Sequence, residues 1–565
     1  MECYINGKQV YPASGEKIKV TLGNEYVSET GTSTLDVSFP LDYAPNRDFF
    51  GAIGRIDVSK RTMRYDDCQL ISDGHVILHG MAVVTEISES RVKLQLSAGK
   101  SATNQADWSE RIYIDEINYD QSGLDPVTSD NRYRWAREQI DSKGYLGVRG
   151  KAIYTSIWDA QNNMMYNRTR TIIGVTEFSR PAIHPNLWHV VEGVMSRLGV
   201  ELAKRPFGGS PFDDIYIANA RLTQNIKDAL PHWTAKKFLM EVENLFSGKF
   251  VFRGKKATFL NTAEMDMESV EYDVDDTFTS DYDENGISIN GNSNLHYDLA
   301  NAESRKKEQA PDDVWKKFTI RRFTSYREME NEMAHLPDQD RRTSMCFDGD
   351  SWWYLHYDDV NNHWEQFGWF NDLRINSTGD VKDLHIVPVE ILPHEIDLFL
   401  PEIYLPTTES DTKQSDSEKY YISVQDIIEN SAEEDGASTD AKSEDDVMEV
   451  YLWESDRSET VGGSTEYWYM VAKTHSMSIN GQFWGLQLYH CAHEVTLGMY
   501  HEQAGKALNV DIHHQQVFKF LCDGLPDPTS IYIFRGKKFL CAKIDVTVSD
   551  EGIDRLKTGY FHELL

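Results

Sequence analysis

The candidate metal ligands with the closest spacing lie near residue 490, where imidazole, thiol and carboxylate groups occur together. They are His490, Cys491, His493, Glu494, His501 and Glu502. These groups suit zinc, but their spacing matches no standard zinc signature. His490 and His493 would share a face only in a helix, whereas the flanking segments have the composition of strands. Ordinary polar residues are therefore the favoured interpretation, and no metal is predicted.

A second pattern resembles the first half of a calcium-binding loop. Asp281, Asp283 and Asn285 provide oxygen ligands at alternate positions, and Gly286 occupies the sixth position. The twelfth position is Asn292 rather than glutamate. No helical pattern flanks the segment, so a turn is favoured over a calcium site.

Aromatic residues are concentrated between positions 352 and 370, in two runs that flank a turn sequence and predict a β-hairpin. Five of them are candidate contacts for a glycan or a partner, because aromatic rings give a large contact area at low entropic cost. These five are Trp352, Trp353, Tyr354, Trp364 and Trp369. The alternative is a small core that packs one hairpin face on a methionine-bearing helix. Strand alternation then places Trp353 and His356 on opposite faces.

No catalytic motif is recognisable in the sequence. G-x-S-x-G, H-E-x-x-H, a phosphate-binding loop and a usable Cys/His pair are all missing. With 91 acidic residues, no carboxylate pair can be singled out for glycoside hydrolysis. We therefore predict no catalytic residue and no cofactor, and we expect a binding or assembly protein rather than an enzyme.

The composition limits the class of protein. A chain of 565 residues is expected to form about three to five domains, and its 40% hydrophobic content can supply several cores. The net charge of -34 disfavours nucleic acid or an anionic membrane as the main partner. The six cysteines form no C-x-x-C pair, and no signal peptide or membrane-spanning apolar run is recognisable. We expect neither a disulfide framework nor membrane insertion.

The sequence pattern around these residues predicts a β-rich, multidomain α+β chain. Alternating apolar residues predict strands in the amino-terminal segment, and one-sided apolar faces predict helices over 187–198 and 234–246. The predicted segments are an amino-terminal antiparallel β-barrel (1–105), a β-rich connection that could belong to a second barrel (106–183), a small α/β domain (184–265), an acidic turn-rich segment (266–317), an inserted aromatic-rich α+β module (318–405), an acidic mobile loop or linker (406–465) and a carboxy-terminal β region (466–565).

The acidic charge is unevenly distributed. Residues 409–459 contain 17 acidic and 4 basic side chains, a net charge of -13 out of the total of -34. Such a segment can bury little, so a mobile loop or linker is predicted. The other residues together carry the remaining charge of about -21.

The five-residue sequence FRGKK occurs twice, at 252–256 and at 534–538, each time where a hairpin is predicted. Two explanations are open. Either a module has been duplicated, or two hairpins have converged on the same turn residues.

The segment 71–99, which contains SDGHVILHGMAVVTEISESRVKLQLSAG, resembles the amino-terminal barrel of bacteriophage tail baseplate hub proteins with the T4-type hub fold. The later order also resembles that family, in which a small α/β domain follows the barrel. The resemblance covers roughly residues 1–265 and rests on the order of elements. The module and acidic loop between about 311 and 465 depart from the family pattern.

The resemblance implies a virion tail protein, of phage or prophage origin, that assembles in the bacterial cytoplasm. It implies a homotrimer whose barrels form a ring between a six-fold tail tube and a three-fold tip. The implied partners are further copies of the chain, the tail-tube protein, and a tape-measure or central spike protein, with no sequence-specific contact to DNA. The alternatives are a carbohydrate-binding adhesin that uses the 352–370 hairpin and a tail-associated wall-degrading enzyme.

Overall fold

The computed structural model describes most of the chain in segments. These are residues 1–27, 31–57, 64–100, 108–124, 147–148, 150–155, 158–159, 164–165, 170–172, 175–177, 182–205, 211–219, 225–261, 269–272, 279–284, 286–287, 294–297, 318–348, 352–357, 362–368, 381–388, 390–394, 403–407, 447–461, 465–473, 477–479, 482–486, 488, 494–501 and 509–565.

The helices and strands are numbered here in chain order. The helices are α1 Ala44–Phe50, α2 Trp108–Arg111, α3 Leu187–Arg197, α4 Ala235–Leu245, α5 Tyr326–Ala334 and α6 Asp338–Arg342. The strands of the first half are β1 Glu2–Ile5, β2 Lys8–Val10, β3 Ile18–Gly23, β4 Ser33–Thr34, β5 Val37–Pro40, β6 Arg64–Ser72, β7 His75–Ile87, β8 Arg91–Ser97, β9 Gly147–Val148, β10 Ala152–Thr155, β11 Trp158–Asp159, β12 Met164–Met165, β13 Arg170–Ile172, β14 Val175–Glu177, β15 Ala182–Pro185, β16 Glu201–Lys204, β17 Ile215–Ile217, β18 Gly248–Arg253, β19 Lys256–Asn261, β20 Ser269–Glu271 and β21 Thr279–Tyr282. Those of the second half are β22 Asn294–Tyr297, β23 Thr319–Arg322, β24 Ser344–Phe347, β25 Trp352–Tyr357, β26 Asn362–Gly368, β27 Val381–Leu384, β28 Ile386–Pro388, β29 Glu390–His394, β30 Ile403–Thr407, β31 Met448–Val461, β32 Thr465–Lys473, β33 Met477–Ile479, β34 Gln482–Gly485, β35 Glu494–Thr496, β36 His514–Leu521, β37 Ile531–Phe534, β38 Lys537–Ser549, β39 Gly552–Ile553 and β40 Leu556–Glu563.

The two ends of the chain share one sheet, which we call the terminal sheet. Its main path runs β2-β1-β6-β7-β8-β4-β3-β38-β40-β36-β21. The join is the antiparallel pair β3–β38, where Val20 lies opposite Val546 and both side chains are fully buried. Asn24 strengthens the join, because its side-chain amide donates to the Cys541 carbonyl over 2.8 Å. Strands from opposite ends of the sequence therefore stabilise each other.

The prediction of a β-rich, multidomain α+β chain is confirmed, with one correction. The predicted small barrels do not appear as closed barrels within the described residues, because the terminal-sheet path runs from β2 at one edge to β21 at the other. Alternation in the sequence shows that β3 has one buried face, but it does not show that its partner lies some 500 residues later. The segment boundaries remain predictions.

The predicted α/β domain is built around two capped helices. The Asn186 side chain accepts hydrogen bonds from the Trp188 and His189 amides and begins α3. Thr234 caps α4 in the same way, through the Lys237 amide. The apolar faces of both helices are buried in one core with the β18–β19 hairpin. These helices follow the predicted ranges to within one residue at each end.

The aromatic module contains a four-stranded sheet in the order β23-β24-β25-β26, with α5 and α6 beside it. The Ser325 hydroxyl accepts from the Glu328 amide, while the Glu328 carboxylate accepts from the Thr324 amide. This arrangement is close to the predicted capping box. The chain turns at Pro337 into α6, a second short helix that was not predicted.

The two FRGKK segments form hairpins in different registers. In the first, Arg253 pairs with Lys256 around a turn at Gly254 and Lys255. In the second, Phe534 pairs with Lys537, and Arg535 and Gly536 both have positive φ. A shift of one residue turns alternating side chains to the other face of a strand, so the structure favours convergence over duplication.

Most of the predicted acidic loop, residues 408–446, lies outside the described residues, whereas its last part belongs to strand β31.

Of the helices in the described segments, none has the length and apolar character needed to span a membrane.

Candidate functional site

The aromatic hairpin packs Trp353 and Trp364 against a helix rather than presenting them on an open platform. Trp353 and Trp364 pack with Met329 and Met333 of α5 and with Cys346 of β24. The Trp353 indole N–H donates to the Asp348 carboxylate over 2.8 Å. This face is therefore a small core, in agreement with the alternative interpretation of the sequence.

The other face of the hairpin combines polar contacts with packing of Tyr354 on Met345 and Phe347 of β24. Tyr354 and His356 lie on it, and both contact the Glu365 carboxylate, Tyr354 by donating over 2.9 Å. Trp353 and His356 thus face opposite sides, as alternation predicts. The side chain of Trp352 and the whole of Trp369 lie outside the described residues, so the proposed five-residue binding surface stays a prediction.

We expect Trp353→Ala to destabilise the aromatic module by about 2–3 kcal/mol, somewhat less than a fully buried tryptophan would cost. The change removes packing on Met329 and Met333 together with the bond to Asp348. Hydrogen exchange of peptides from α5 measures the effect, because Trp353 packs on α5 whereas Tyr354 packs on β24. Tyr354→Ala, on the opposite face, is the control, and equal loss of protection in both variants would contradict the packing described above.

The metal candidates are only partly placed. His490, Cys491, His493 and Glu502 lie outside the described residues. Glu494 and His501 are buried, and the His501 Nε2 atom contacts the Leu245 carbonyl at the end of α4 over 2.9 Å. His501 thus has a structural contact within the core.

The calcium-like segment has the geometry of a turn. Asp281 lies in the exposed strand β21, opposite Gln515 of β36. The Gly286 amide donates to the Asp283 carbonyl over 3.2 Å, and Gly286 has a φ of 66°. Asn285 and Asn292 lie outside the described residues. The positive φ of this turn explains why position 286 is a glycine.

A largely buried group of charges, which was not predicted from the sequence, joins the terminal sheet to the α/β domain. We call it the junction cluster, and it consists of Glu25, Lys100, Glu243 and Lys249. Glu25 follows β3 and Lys100 follows β8, whereas Glu243 lies on α4 and Lys249 on β18. Glu25 and Lys100 therefore belong to the terminal sheet, whereas Glu243 and Lys249 belong to the α/β domain.

Glu243 holds two ammonium groups at once. Lys100 Nζ and Lys249 Nζ each lie 3.0 Å from one of its carboxylate oxygens, and the Phe250 amide donates to it over 2.8 Å. Burial alone would raise the pKa of Glu243, but the two lysines and the Phe250 amide outweigh it and hold the pKa below its usual value. Glu243 is therefore ionised in the folded chain at neutral pH.

Glu25 links the same two parts through backbone groups. Its carboxylate accepts from the Lys100 amide over 2.8 Å and from the Phe252 amide on β18. Gly31 and Gly99 leave room for it, since a Cβ atom there would lie only 2.4 and 1.9 Å from Glu25 Oε1. The close approach of this backbone to a buried carboxylate requires glycine.

The tip of the β18–β19 hairpin adds contacts at the surface. Arg253 pairs with Asp527 over 2.9 Å, and Lys255 pairs with Asp67 over 3.2 Å. Asp67 lies on β6, and Asp527 lies in the carboxy-terminal part of the terminal sheet region. One hairpin thus contacts both ends of the chain, and the basic residues of FRGKK have a structural role here.

The junction cluster predicts a pH dependence of stability. Burial raises the pKa of Glu25 to about 7, against the lowering effect of the Phe252 and Lys100 amides. Glu25 therefore keeps its proton in the folded chain at pH values above 4.5, its ordinary pKa, at which the unfolded chain has released it. The contribution of this proton to the free energy of unfolding is complete below pH 4.5 and is lost as the pH rises through about 7. The change is at most about 3 kcal/mol, at 1.36 kcal/mol per pKa unit.

Urea unfolding at several pH values between 4.5 and 8 measures this contribution of Glu25. It is the difference in the free energy of unfolding between the original chain and Glu25→Gln. We expect the original chain to lose stability relative to the variant across this interval. Parallel pH profiles would show that Glu25 does not titrate there.

Comparisons with known proteins give only distant similarity. No protein-family model matches the chain, and no curated protein matches it. The chain is similar to the solved structure of the 43 kDa tail protein of prophage MuSo2 from Shewanella oneidensis, with 9% identity and a TM-score of 0.32 over 99% of this chain and 96% of that chain. It is also similar to the tail protein from Neisseria meningitidis MC58, with 7% identity and a TM-score of 0.24 over 100% of this chain and 95% of that chain.

Proposed function

We propose that the chain is a structural component of a phage tail, a baseplate hub that forms a trimeric ring between the tail tube and the tip. The order of elements supports this proposal. A β region, a two-helix α/β domain and a returning β region follow one another, in the order that the sequence resemblance implied. The role is structural and not enzymatic.

The terminal sheet is the observation that carries the proposal. Its last strand, β21, is exposed at all four residues, and Tyr282 is 66% exposed. In the described part of the chain β21 pairs only with β36. An exposed strand edge offers unpaired backbone groups to another chain, which is how sheets extend across subunits. Copies of this chain can therefore join at the edge strand β21.

The junction cluster supports a role in which the subunit transmits mechanical force. Buried ion pairs with several hydrogen bonds hold the terminal sheet and the α/β domain in one arrangement. A subunit placed between a tube and a tip must keep its domains in register under force. Contacts between the α/β domain and both ends of the chain meet that requirement.

The negative charge suits a channel that DNA must pass. A net charge of -34 per chain repels phosphate groups over a Debye length, roughly 8–10 Å at physiological salt. The partners in this proposal are two further copies of the chain, the tail-tube protein and a tape-measure or spike protein, all within the virion tail. A glycan-binding role gains no support from Trp353 and Trp364, since both pack against methionines.

Light scattering of the purified chain at micromolar concentration tests the proposal. We expect the mass of three chains. The Asp283 amide bonds inward to His513, so by alternation the Ser280 amide of β21 faces the open side. Ser280→Pro should then reduce the mass to one chain, while Ser280→Thr keeps the trimer. A monomeric original chain would contradict the preformed ring.

A further inference from the structure

The edge strand β21 offers two residues to a further strand. The Asp283 amide bonds inward to the His513 carbonyl, so by alternation the backbone groups of Ser280 and Tyr282 face away from β36. The segment around β21 is strongly acidic, since residues 262–286 contain ten aspartates and glutamates and no lysine or arginine. Like charges on opposed strands repel, so a matching strand should carry basic side chains.

Strand β23 of the aromatic module is an edge strand of this kind. It lies at the end of the order β23-β24-β25-β26 and, within the described residues, pairs only with β24. The Thr319 and Phe323 amides both bond inward, so by alternation the backbone groups of Ile320 and Arg322 face the open side. With Arg321 between them, the strand presents two arginines at its edge.

Antiparallel pairing of β21 with β23 would use the open backbone groups of both strands. Ser280 then lies opposite Arg322, and Tyr282 lies opposite Ile320. Each of these pairs can exchange two N–H···O bonds, which gives up to about four bonds between the strands. The spacing of two residues is the same on both strands, so no bulge is needed.

The same register brings an acidic and a basic side chain together. Asp281 lies opposite Arg321 in the non-hydrogen-bonded position, where Cβ atoms are about 4.5–5.5 Å apart. Arg321 Nε donates to Ser344 Oγ over 3.0 Å, which holds the guanidinium group beside the edge. Its two terminal nitrogens can bind the Asp281 carboxylate in the bidentate geometry typical of arginine.

Three other edge strands of the described segments fit β21 less well. The Tyr11 amide, directly after β2, donates to the Asn46 side chain of α1 over 2.8 Å, so a helix covers that edge. Strand β26 carries Glu365, which would lie against the acidic strand. The register of β16 on β19 shifts between Leu202 and Lys204, so the edge of β16 is irregular.

We propose that β21 of one copy pairs antiparallel with β23 of the next copy and that an ion pair between Asp281 and Arg321 fixes the register. The two strands belong to different sheets of the chain, so the contact is head-to-tail, and such contacts form closed rings when the rotation between copies allows it. This inference rests on the proposed hub function and adds to it the two strands through which the copies join.

Disulfide cross-linking of the full chain tests this pairing. Asp281→Cys combined with Arg321→Cys places thiols at directly opposed positions, whose separation is close to the roughly 3.5–4.5 Å between the Cβ atoms of a disulfide. Oxidised glutathione is the oxidant, and it is reduced to two thiols as each new S–S bond forms. We expect covalent dimers and trimers on a non-reducing gel, and dithiothreitol should convert them to single chains.

The matched control is Asp281→Cys combined with Glu365→Cys, which moves the second thiol to the opposite edge of the same four-stranded sheet. It should give no more covalent oligomer than the original chain. Cross-linking through Glu365→Cys instead of Arg321→Cys would overturn the proposal.

Exchange of the two charges gives an independent test. Asp281→Arg and Arg321→Asp should each weaken the association of copies by at least about 10-fold, because like charges then face each other. The double variant should restore association. Far-ultraviolet circular dichroism shows whether each variant keeps its fold, and the cross-linking result decides if Arg321→Asp does not.

The outcomes separate this inference from the hub function. If the original chain is a trimer by light scattering, but the opposed thiols give no covalent oligomer, the β21–β23 pairing is wrong and the hub function stands. If the original chain is monomeric, the hub function is contradicted and this inference falls with it.

Discussion

Replacing Glu243 with alanine is expected to lower the free energy of opening at the junction by about 3–5 kcal/mol, the usual cost of removing one partner from a buried ion pair. The reason is that one carboxylate balances Lys100 and Lys249 and also accepts from the Phe250 amide. Hydrogen exchange of peptides from α4, β18 and the end of β8 measures the change. Exchange should rise in all three, because they meet at Glu243.

Glu110→Ala is the control for that variant. Glu110 pairs with Lys236 over 2.7 Å, but the pair is solvent-exposed, and exposed ion pairs contribute at most about 1 kcal/mol. The control should leave exchange at the junction unchanged. If Glu243→Ala has as small an effect as Glu110→Ala, the junction cluster does not hold the two parts together.

Gly99→Ala is expected to destabilise the junction by about 2–5 kcal/mol, from backbone strain of about 1–2 and overpacking of about 1–3 kcal/mol. Gly99 has a φ of +65°, and an added Cβ atom would lie 1.9 Å from Glu25 Oε1. The carboxylate must then move away from the Lys100 and Phe252 amides. Urea unfolding monitored at the junction measures the loss.

Gly7→Ala separates the two contributions. Gly7 has a φ of +73°, but nothing lies within 4 Å of an added Cβ atom. It should therefore cost only the backbone strain, about 1–2 kcal/mol. Equal losses at Gly7 and Gly99 would show that the space around Glu25 is not limiting.

The sequence predicts local features well and distant partners poorly. The helices α3 and α4 were predictable because their apolar residues recur at helical spacing within a few residues of one another. The buried face of the 352–370 hairpin was also predictable as an alternative, from the alternation of Trp353 and His356. These signals depend on neighbouring residues only.

The junction cluster could not be predicted, for two physical reasons. Glu25 and Glu243 are two of 91 acidic residues, and nothing in their neighbours distinguishes a buried carboxylate from an exposed one. Their partners are also distant in sequence, as Lys100 is 143 residues from Glu243. The pairing of β3 with β38 was missed for the same reason. Gly99 offered a weak signal, since glycine at a strand end can mark close backbone approach.

The repeated FRGKK sequence shows how identical residues can have different structures. Pairing between strands, and not the five residues themselves, decides whether the turn falls at Gly254 and Lys255 or at Arg535 and Gly536. In the first hairpin the basic residues contact Asp67 and Asp527 across the terminal sheet. The same five residues at 534–538 form a hairpin within the terminal sheet.

Electron microscopy of the purified full-length chain tests the central claim most directly. We expect class averages of a ring with three-fold symmetry and an open centre, in which β21 of each copy contacts a different surface of the next copy. Ser280→Pro should convert the rings to single particles of one chain, and Ser280→Thr should not. Compact single-chain particles of the original protein, with no ring at any concentration tested, would contradict the hub function.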